Sequence, residues 1–150
     1  MHLVFAALLL GGLFLFIPRT EKEEQTVLDM TKPRGIRLNN PGNIRHGDNW
    51  QGMAPDQPDR SFVLFVDPRY GYRAMTKVLQ SYARRGVVTI RDIINTWAPP
   101  IGRDPQTGET YRQDSTAYVN HVASRVGLSP DSPIDLDNKD QVVELLDAIT

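Results

Sequence analysis

The stretch Asp67-Pro68-Arg69-Tyr70-Gly71-Tyr72-Arg73-Ala74-Met75-Thr76-Lys77-Val78-Leu79-Gln80-Ser81-Tyr82-Ala83-Arg84-Arg85 decides the fold class. Met75, Val78, Leu79 and Tyr82 fall at i, i+3, i+4 and i+7, which is one face of a helix. Asp67-Pro68 opens this helix and Gly86 stops it. Working outward, Thr89 caps a second helix in which Ile90, Ile93, Ile94 and Trp97 repeat the spacing, and Pro99-Pro100 ends it. Asp114 or Ser115 caps a third, with Tyr118, Val119, Val122 and Val126 inward and Gly127 as its stop. A last helix runs from about Asp137, with Val142, Val143, Leu145, Leu146 and Ile149 apolar. Upstream, Ser61 to Val66 is a short run rich in Phe and Val and predicts a strand. The fold class is therefore mainly α (α+β), with one short strand region and no internal repeat.

A chain of 150 residues suits one such domain once the N-terminal segment is set aside. Net charge is -1, so no global field favours nucleic acid, and none is expected as a partner. The chain has no cysteine, which removes disulfides, thiolate nucleophiles and Cys-type zinc sites. His2, His46 and His121 are not at metal-ligand spacing, so neither a metal nor another cofactor is expected.

Met1 to Ile17 is apolar apart from His2, and Pro18 ends it. As a helix it would span roughly 26 Å at about 1.5 Å per residue, near the thin end of bilayer cores. A secretory signal is the rival reading, but no Lys or Arg leads the segment and Phe14-Leu15-Phe16-Ile17-Pro18 offers no small-residue pair for cleavage. Residues 1–18 are thus expected to be a retained transmembrane helix, a single-pass N-terminal anchor. Arg19 and Lys22 follow it and nominally leave the domain on the cytoplasmic side. Residues 19–33, with Glu21, Lys22, Glu23 and Glu24, predict a polar tether, and residues 34–150 the globular domain.

The segment from Arg34 to Pro58 is dense in Gly, Asn and Pro and predicts ordered loop. Within it, Asn39, Asn40 and Gly42 suit a tight turn, because Asn side chains bond nearby backbone and tolerate unusual dihedrals. A turn does not account for Arg45, His46 and Trp50. A cation, an imidazole and an indole on one loop suit a sugar or another polar ligand. Ile101 to Gln113 reads as a polar loop with no hydrophobic pattern.

These residues carry a resemblance. The stretch from Gly35 through Tyr82, which opens Gly35-Ile36-Arg37-Leu38-Asn39-Asn40-Pro41-Gly42-Asn43-Ile44-Arg45, followed by Ile93 to Pro100 and Asp114 to Tyr118, resembles a family of phage and prophage proteins. Its members begin with a GIRxNNPGNIR block and are usually described as virion structural proteins, some from tailless phages with an internal membrane. The likeness covers most of residues 34–136. Asn43-Ile44-Arg45, Trp50-Gln51-Gly52, Phe62 and Phe65 are also similar to the middle of bacterial glucosaminidase domains, which have a lysozyme-like fold and cut peptidoglycan.

Together these resemblances imply a lysozyme-like domain that binds or cleaves peptidoglycan during host entry or release. The implied location is the virion internal membrane or host inner membrane, and the implied partners are peptidoglycan, membrane lipid and other virion membrane or capsid proteins. Asn40, Asn43, Arg45, His46, Trp50 and Tyr70 are the candidate substrate-binding residues. The chain departs from the enzymes in one respect. Glycoside hydrolysis needs a carboxylic acid to protonate the leaving oxygen, and those enzymes carry it on a helix upstream of the Asn-rich block. Here Glu21, Glu23 and Glu24 lie in the tether and Glu144 on an outward helix face, while Asp48, Asp67 and Asp114 read as turn or cap residues. Glu109 alone remains as a candidate catalytic acid. A catalytic protein should fold the Gly108-Glu109-Thr110 loop back towards Trp50 and Tyr70. A virion membrane structural protein without activity, or a prophage or bacterial peptidoglycan-binding module, needs no such loop.

Overall fold

The computed structural model describes residues 27–105 and 107–150 in full and, in the N-terminal segment, only the backbone of residues 5–10 and 13–18. Those two stretches are not a helix. β1 (Phe5–Leu10) and β2 (Leu13–Pro18) pair antiparallel, with Leu10 opposite Leu13. Gly11-Gly12 stands between them in the sequence, and Gly-Gly both weakens a helix and favours a two-residue hairpin connection. Among the described residues no helix is long and apolar enough to cross a membrane, so the expected transmembrane helix over residues 1–18 is corrected. Part of the expected tether, residues 19–26, lies outside the described residues.

The body is mainly helical, with a small two-stranded sheet. After the short α1 (Arg34–Arg37) come α2 (Pro68–Arg84), α3 (Ile90–Trp97), β3 (Ile101–Arg103), β4 (Thr110–Arg112), α4 (Ser115–Val126) and α5 (Lys139–Ile149). The caps follow from local chemistry. The Asp67 side chain accepts from Arg69 N, Thr89 from Asp92 N, Asp114 from Ala117 N, and Asn138 from Asp140 N and Gln141 N. Gly127 closes α4 in the left-handed conformation, at φ 73°. α3 packs on α4, α4 on α5, and α2 on α5. Met75, Leu79, Ile90, Ile93, Ile94, Val122 and Leu145 are fully enclosed between them. On α5 the buried line is Val142, Leu145, Leu146, Ala148 and Ile149, whereas Val143, which spacing puts with Leu146 and Ile149 on the apolar stripe opposite Glu144, faces solvent.

Two further expectations change. Ser61 to Val66 is extended and mostly buried, yet it forms only isolated pairings, Arg45 with Phe62 and Met53 with Phe65. Its backbone groups are divided between scattered main-chain partners, such as Ile44 O for Val63 N and Leu38 O for Phe65 N, and side chains. Asn40 Nδ2 donates to Val63 O (2.8 Å), Asn39 Nδ2 to Phe65 O (2.9 Å), and the Gln57 amide brackets Leu64 N and O. Conversely, the segment Ile101 to Gln113, read as loop, holds the β3–β4 hairpin, with Gly102 opposite Tyr111. Asp104 organises its turn, accepting from Thr107 N, and Gly108 supplies φ 75°. The turn chemistry of Asp104-Pro105 and Gly108 was in the sequence, but three-residue strands are too short to show a period.

Candidate ligand groove

The Asn-rich block is built into the body before it can present anything outward. Asn40 is fully buried. Its Oδ1 accepts from Ile44 N at 2.7 Å, and its two amide hydrogens go to Ile44 O (2.9 Å) and Val63 O (2.8 Å). Asn39 and Asn43 take left-handed backbone, at φ 51° and 48°, which Asn tolerates better than most residues. Gly42 lies against α2 and α3, where an added Cβ would stand 2.5 Å from Met75 Cγ and 2.9 Å from Trp97 Cζ2. Gly71 of α2 makes the reciprocal approach, with space for a Cβ only 2.6 Å from Asn39 O. The turn and α2 therefore touch backbone to backbone.

That seat carries Asn43 and Arg45 to the surface. The Arg45 guanidinium sits over the Phe62 ring at 4.7 Å and over the Tyr111 ring at 5.4 Å from the centroids. Its Nη1 is hydrogen-bonded and ion-paired to Asp104 Oδ2, which links the block to the hairpin turn. Arg34 also lies over Phe62, 5.0 Å from the centroid, and 3.2 Å from Asp59 Oδ2. Asp59 Oδ1 accepts from Ser61 N and Phe62 N, both at 3.0 Å. The cations and rings thus alternate in the order Arg34, Phe62, Arg45, Tyr111.

Three clefts meet at Arg45. The largest, about 660 Å³, lies between Arg34, Asp59, Arg60 and Phe62 on one side and Asp104, Glu109 and Tyr111 on the other. A second, about 240 Å³, continues past Tyr111 to Trp97 and Tyr118. A third, about 260 Å³, runs by Asn43, His46 and Asp48 to Trp50 and Tyr82. The three share Arg45 and adjoin it with polar walls and aromatic faces, and together they are the candidate groove.

The predicted residues divide between the groove and its support. Asn43, Arg45, His46 and Trp50 line it, while Asn40 stands behind it with its amide engaged by the backbone. His46 Nε2 donates to Asp59 O at 2.8 Å. Trp50 packs on the core, and its Nε1 is buried without a hydrogen-bond partner among the described residues. Tyr70 packs against the core too, with its ring against Gly52, where a Cβ would meet Cγ at 2.1 Å. Glu109 is exposed and lines the large cleft with Arg45 and Phe62, not the branch that holds Trp50. Sequence reading missed Arg34, Asp59, Phe62, Asp104 and Tyr111. Asp59 ahead of Arg60-Ser61 and Asp104 ahead of Pro105 had the form of turn aspartates; nothing local said that each would meet an arginine far along the chain.

No protein-family model matches the chain. Over 100 residues it is 34% identical to Protein P5 of Pseudoalteromonas phage PM2, a match taking in 63% of this chain and 56% of that protein. The chain therefore spans little more than half the length of the curated relative it matches. What the comparison establishes is similarity to a phage protein, in agreement with the phage resemblance of the sequence.

Proposed function

We propose that the chain is a phage virion component whose lysozyme-like domain binds peptidoglycan along the groove around Arg45 without cutting it, with the apolar segment 1–18 associating with membrane. One observation carries the non-catalytic reading. The two carboxylates set into the groove wall, Asp59 and Asp104, have side chains only 10% exposed, and both are engaged by arginine and backbone N–H donors. A general acid needs a proton and a free path to the leaving oxygen, whereas these are acceptors that hold a loop in shape. The rest of the groove suits a glycan strand. Tyr111, Trp97 and Tyr82 supply ring faces, and Asn43, Arg45 and Gln113 supply hydrogen-bonding groups. The mainly helical body with a hairpin at its side supports the lysozyme-like reading, and the similarity to Protein P5 of a phage supports the virion one.

Glu109 favours a second reading. It lines the largest cleft and is not in an ion pair among the described residues, so a peptidoglycan glycosidase would use it as the acid. One experiment separates the two. The full chain is sedimented with purified murein sacculi and run in parallel on a murein zymogram. Binding without clearing is expected, with Arg45→Gln lowering the bound fraction about tenfold, equivalent to about 1.4 kcal/mol. Clearing that disappears in Glu109→Gln replaces the proposal with the glycosidase. Absence of binding by the unaltered chain removes peptidoglycan from both.

A further inference from the structure

A second surface lies on α2, and it is charged where the chain as a whole is not. The seventeen residues of α2 include no Asp or Glu, but Arg69, Arg73, Lys77 and Arg84 are all exposed on it. Arg69, Arg73 and Lys77 stand at i, i+4 and i+8, one outward line along the helix. Arg69 is paired with Asp67 at 2.9 Å, whereas Arg73, Lys77 and Arg84 have no carboxylate partner among the described residues. The balancing acids are elsewhere, with Asp140, Glu144 and Asp147 exposed on α5. A net charge of -1 therefore conceals a basic helix.

The start of that helix adjoins an apolar surface. Val66, immediately before the Asp67 cap, is 57% exposed, and a cleft of about 450 Å³ joins it to Val27, 92% exposed, and Ile36, 63% exposed. Lys32, paired with Asp29 at 3.6 Å, and Arg37 stand in the wall of that cleft, and Arg37 Nε is buried without a hydrogen-bond partner among the described residues. Tyr72, one turn into α2 beside Arg69 and Arg73, is also exposed. Aliphatic side chains, an exposed tyrosine and a line of cations in which Arg73 and Lys77 have no carboxylate partner among the described residues are what a bilayer surface with anionic headgroups can satisfy at once. The chain also ties this face covalently to its apolar segment. Residues 1–18 contain no Asp, Glu, Lys or Arg, and residues 19–26 link them to Val27 across roughly 30 Å at full extension.

We infer that the face formed by Val27, Ile36, Val66 and the basic line of α2 lies against a bilayer carrying anionic lipid. This rests on the membrane half of the proposed function and is independent of peptidoglycan. Nucleic acid would satisfy the cations but not the exposed valines and isoleucine. A second copy could offer the acids of α5, with Val143 as the one large apolar side chain exposed beside them.

The lack of cysteine makes the test direct, because a single introduced thiol takes an environment-sensitive dye at one place. Full-length Ile36→Cys, Val66→Cys and, as a distant reference, Glu144→Cys are labelled and mixed with phosphatidylcholine vesicles with and without phosphatidylglycerol. On anionic vesicles the dyes at 36 and 66 are expected to shift to the blue while the dye at 144 stays water-like. Arg73→Gln combined with Lys77→Gln should lower partitioning to anionic vesicles about ten- to thirtyfold and leave neutral vesicles unaffected. Water-like dyes at 36 and 66 on vesicles that hold the protein overturn the inference, as does equal partitioning to both lipids. Salt-reversible self-association or retention on DNA, without vesicle binding, assigns the face to a second copy or to nucleic acid instead. Because no murein is present, failure here leaves the sacculus-binding result standing, and the reverse.

Discussion

The Asn39–Ile44 turn and the β3–β4 hairpin are both polar, glycine-bearing and proline-bearing segments, yet they fold for opposite reasons. The turn is drawn inward. Asn40 is completely buried, Gly42 and Gly71 let two backbones meet, and every amide hydrogen of Asn40 has a backbone acceptor. The hairpin stays outside, with Ile101, Arg103, Thr110 and Arg112 exposed and none of its side chains in the core cluster. Its link to the turn region runs through Arg45, by the pair with Asp104 and the stack on Tyr111. Asparagines in a loop are therefore as able to serve as internal scaffolding as to bind a ligand, and the groove takes shape where the buried loop and the exposed one approach each other.

That contrast can be broken at graded cost. Asn40→Ala takes the partner from two buried backbone groups, Ile44 N and Val63 O, while Ile44 O keeps Val63 N, and at about 1–3 kcal/mol for each group left unsatisfied it should lower stability by roughly 2–5 kcal/mol. Chemical denaturation measures this, and a loss under 1 kcal/mol would mean water replaces the amide. Met75→Ala opens a cavity beneath Gly42 and should cost roughly 2–5 kcal/mol, read the same way. Gly71→Ala presses a methyl group against Asn39 O and Pro41 Cδ and should cost about 1–3 kcal/mol. If it is neutral, the turn can withdraw from α2 and the backbone contact is not a constraint.

On the hairpin side the effects should be local. Asp104→Asn weakens the pair with Arg45 while retaining an acceptor for the Thr107 amide. Amide hydrogen exchange in β3 and β4 should rise about tenfold, with α2 and α4 unchanged, since the altered link holds the hairpin and not the helices. A uniform rise across all helices would show that the hairpin belongs to the cooperative core after all.

The smallest effect concerns pH. Burial pushes the Tyr118 hydroxyl up to about 12 while it donates to Ile149 O at 2.8 Å. The folded state therefore keeps the phenol neutral where the unfolded chain, near 10, would ionise. This contribution is complete below about pH 10 and is lost as pH rises from 10 through 12. Tyr118→Phe should cost about 1 kcal/mol near neutrality and flatten the alkaline decline of the melting temperature. An unchanged alkaline limb would assign that decline to other groups.

What the sequence determined by itself is local. The four long helices lie where their apolar spacing put them, and Asp67, Thr89, Asp114 and Gly127 act as the cap and stop residues they resembled, because a helix stripe and its caps are settled within a few neighbouring positions. Apolar spacing could not tell Val142 from Val143, and only packing against α4 and α2 chose between them. The Ser61–Val66 run had the composition of a strand, but Asn39, Asn40 and Gln57 reached its carbonyls first. The groove was half legible. Asn43, Arg45, His46 and Trp50 announced a ligand-facing loop, while Asp104 lies 59 positions from Arg45 and Tyr111 farther still. Which carboxylate meets which guanidinium, and which ring lies under it, depends on how the helices bring distant turns together. No local pattern encodes that distance, so only the tertiary structure decided it.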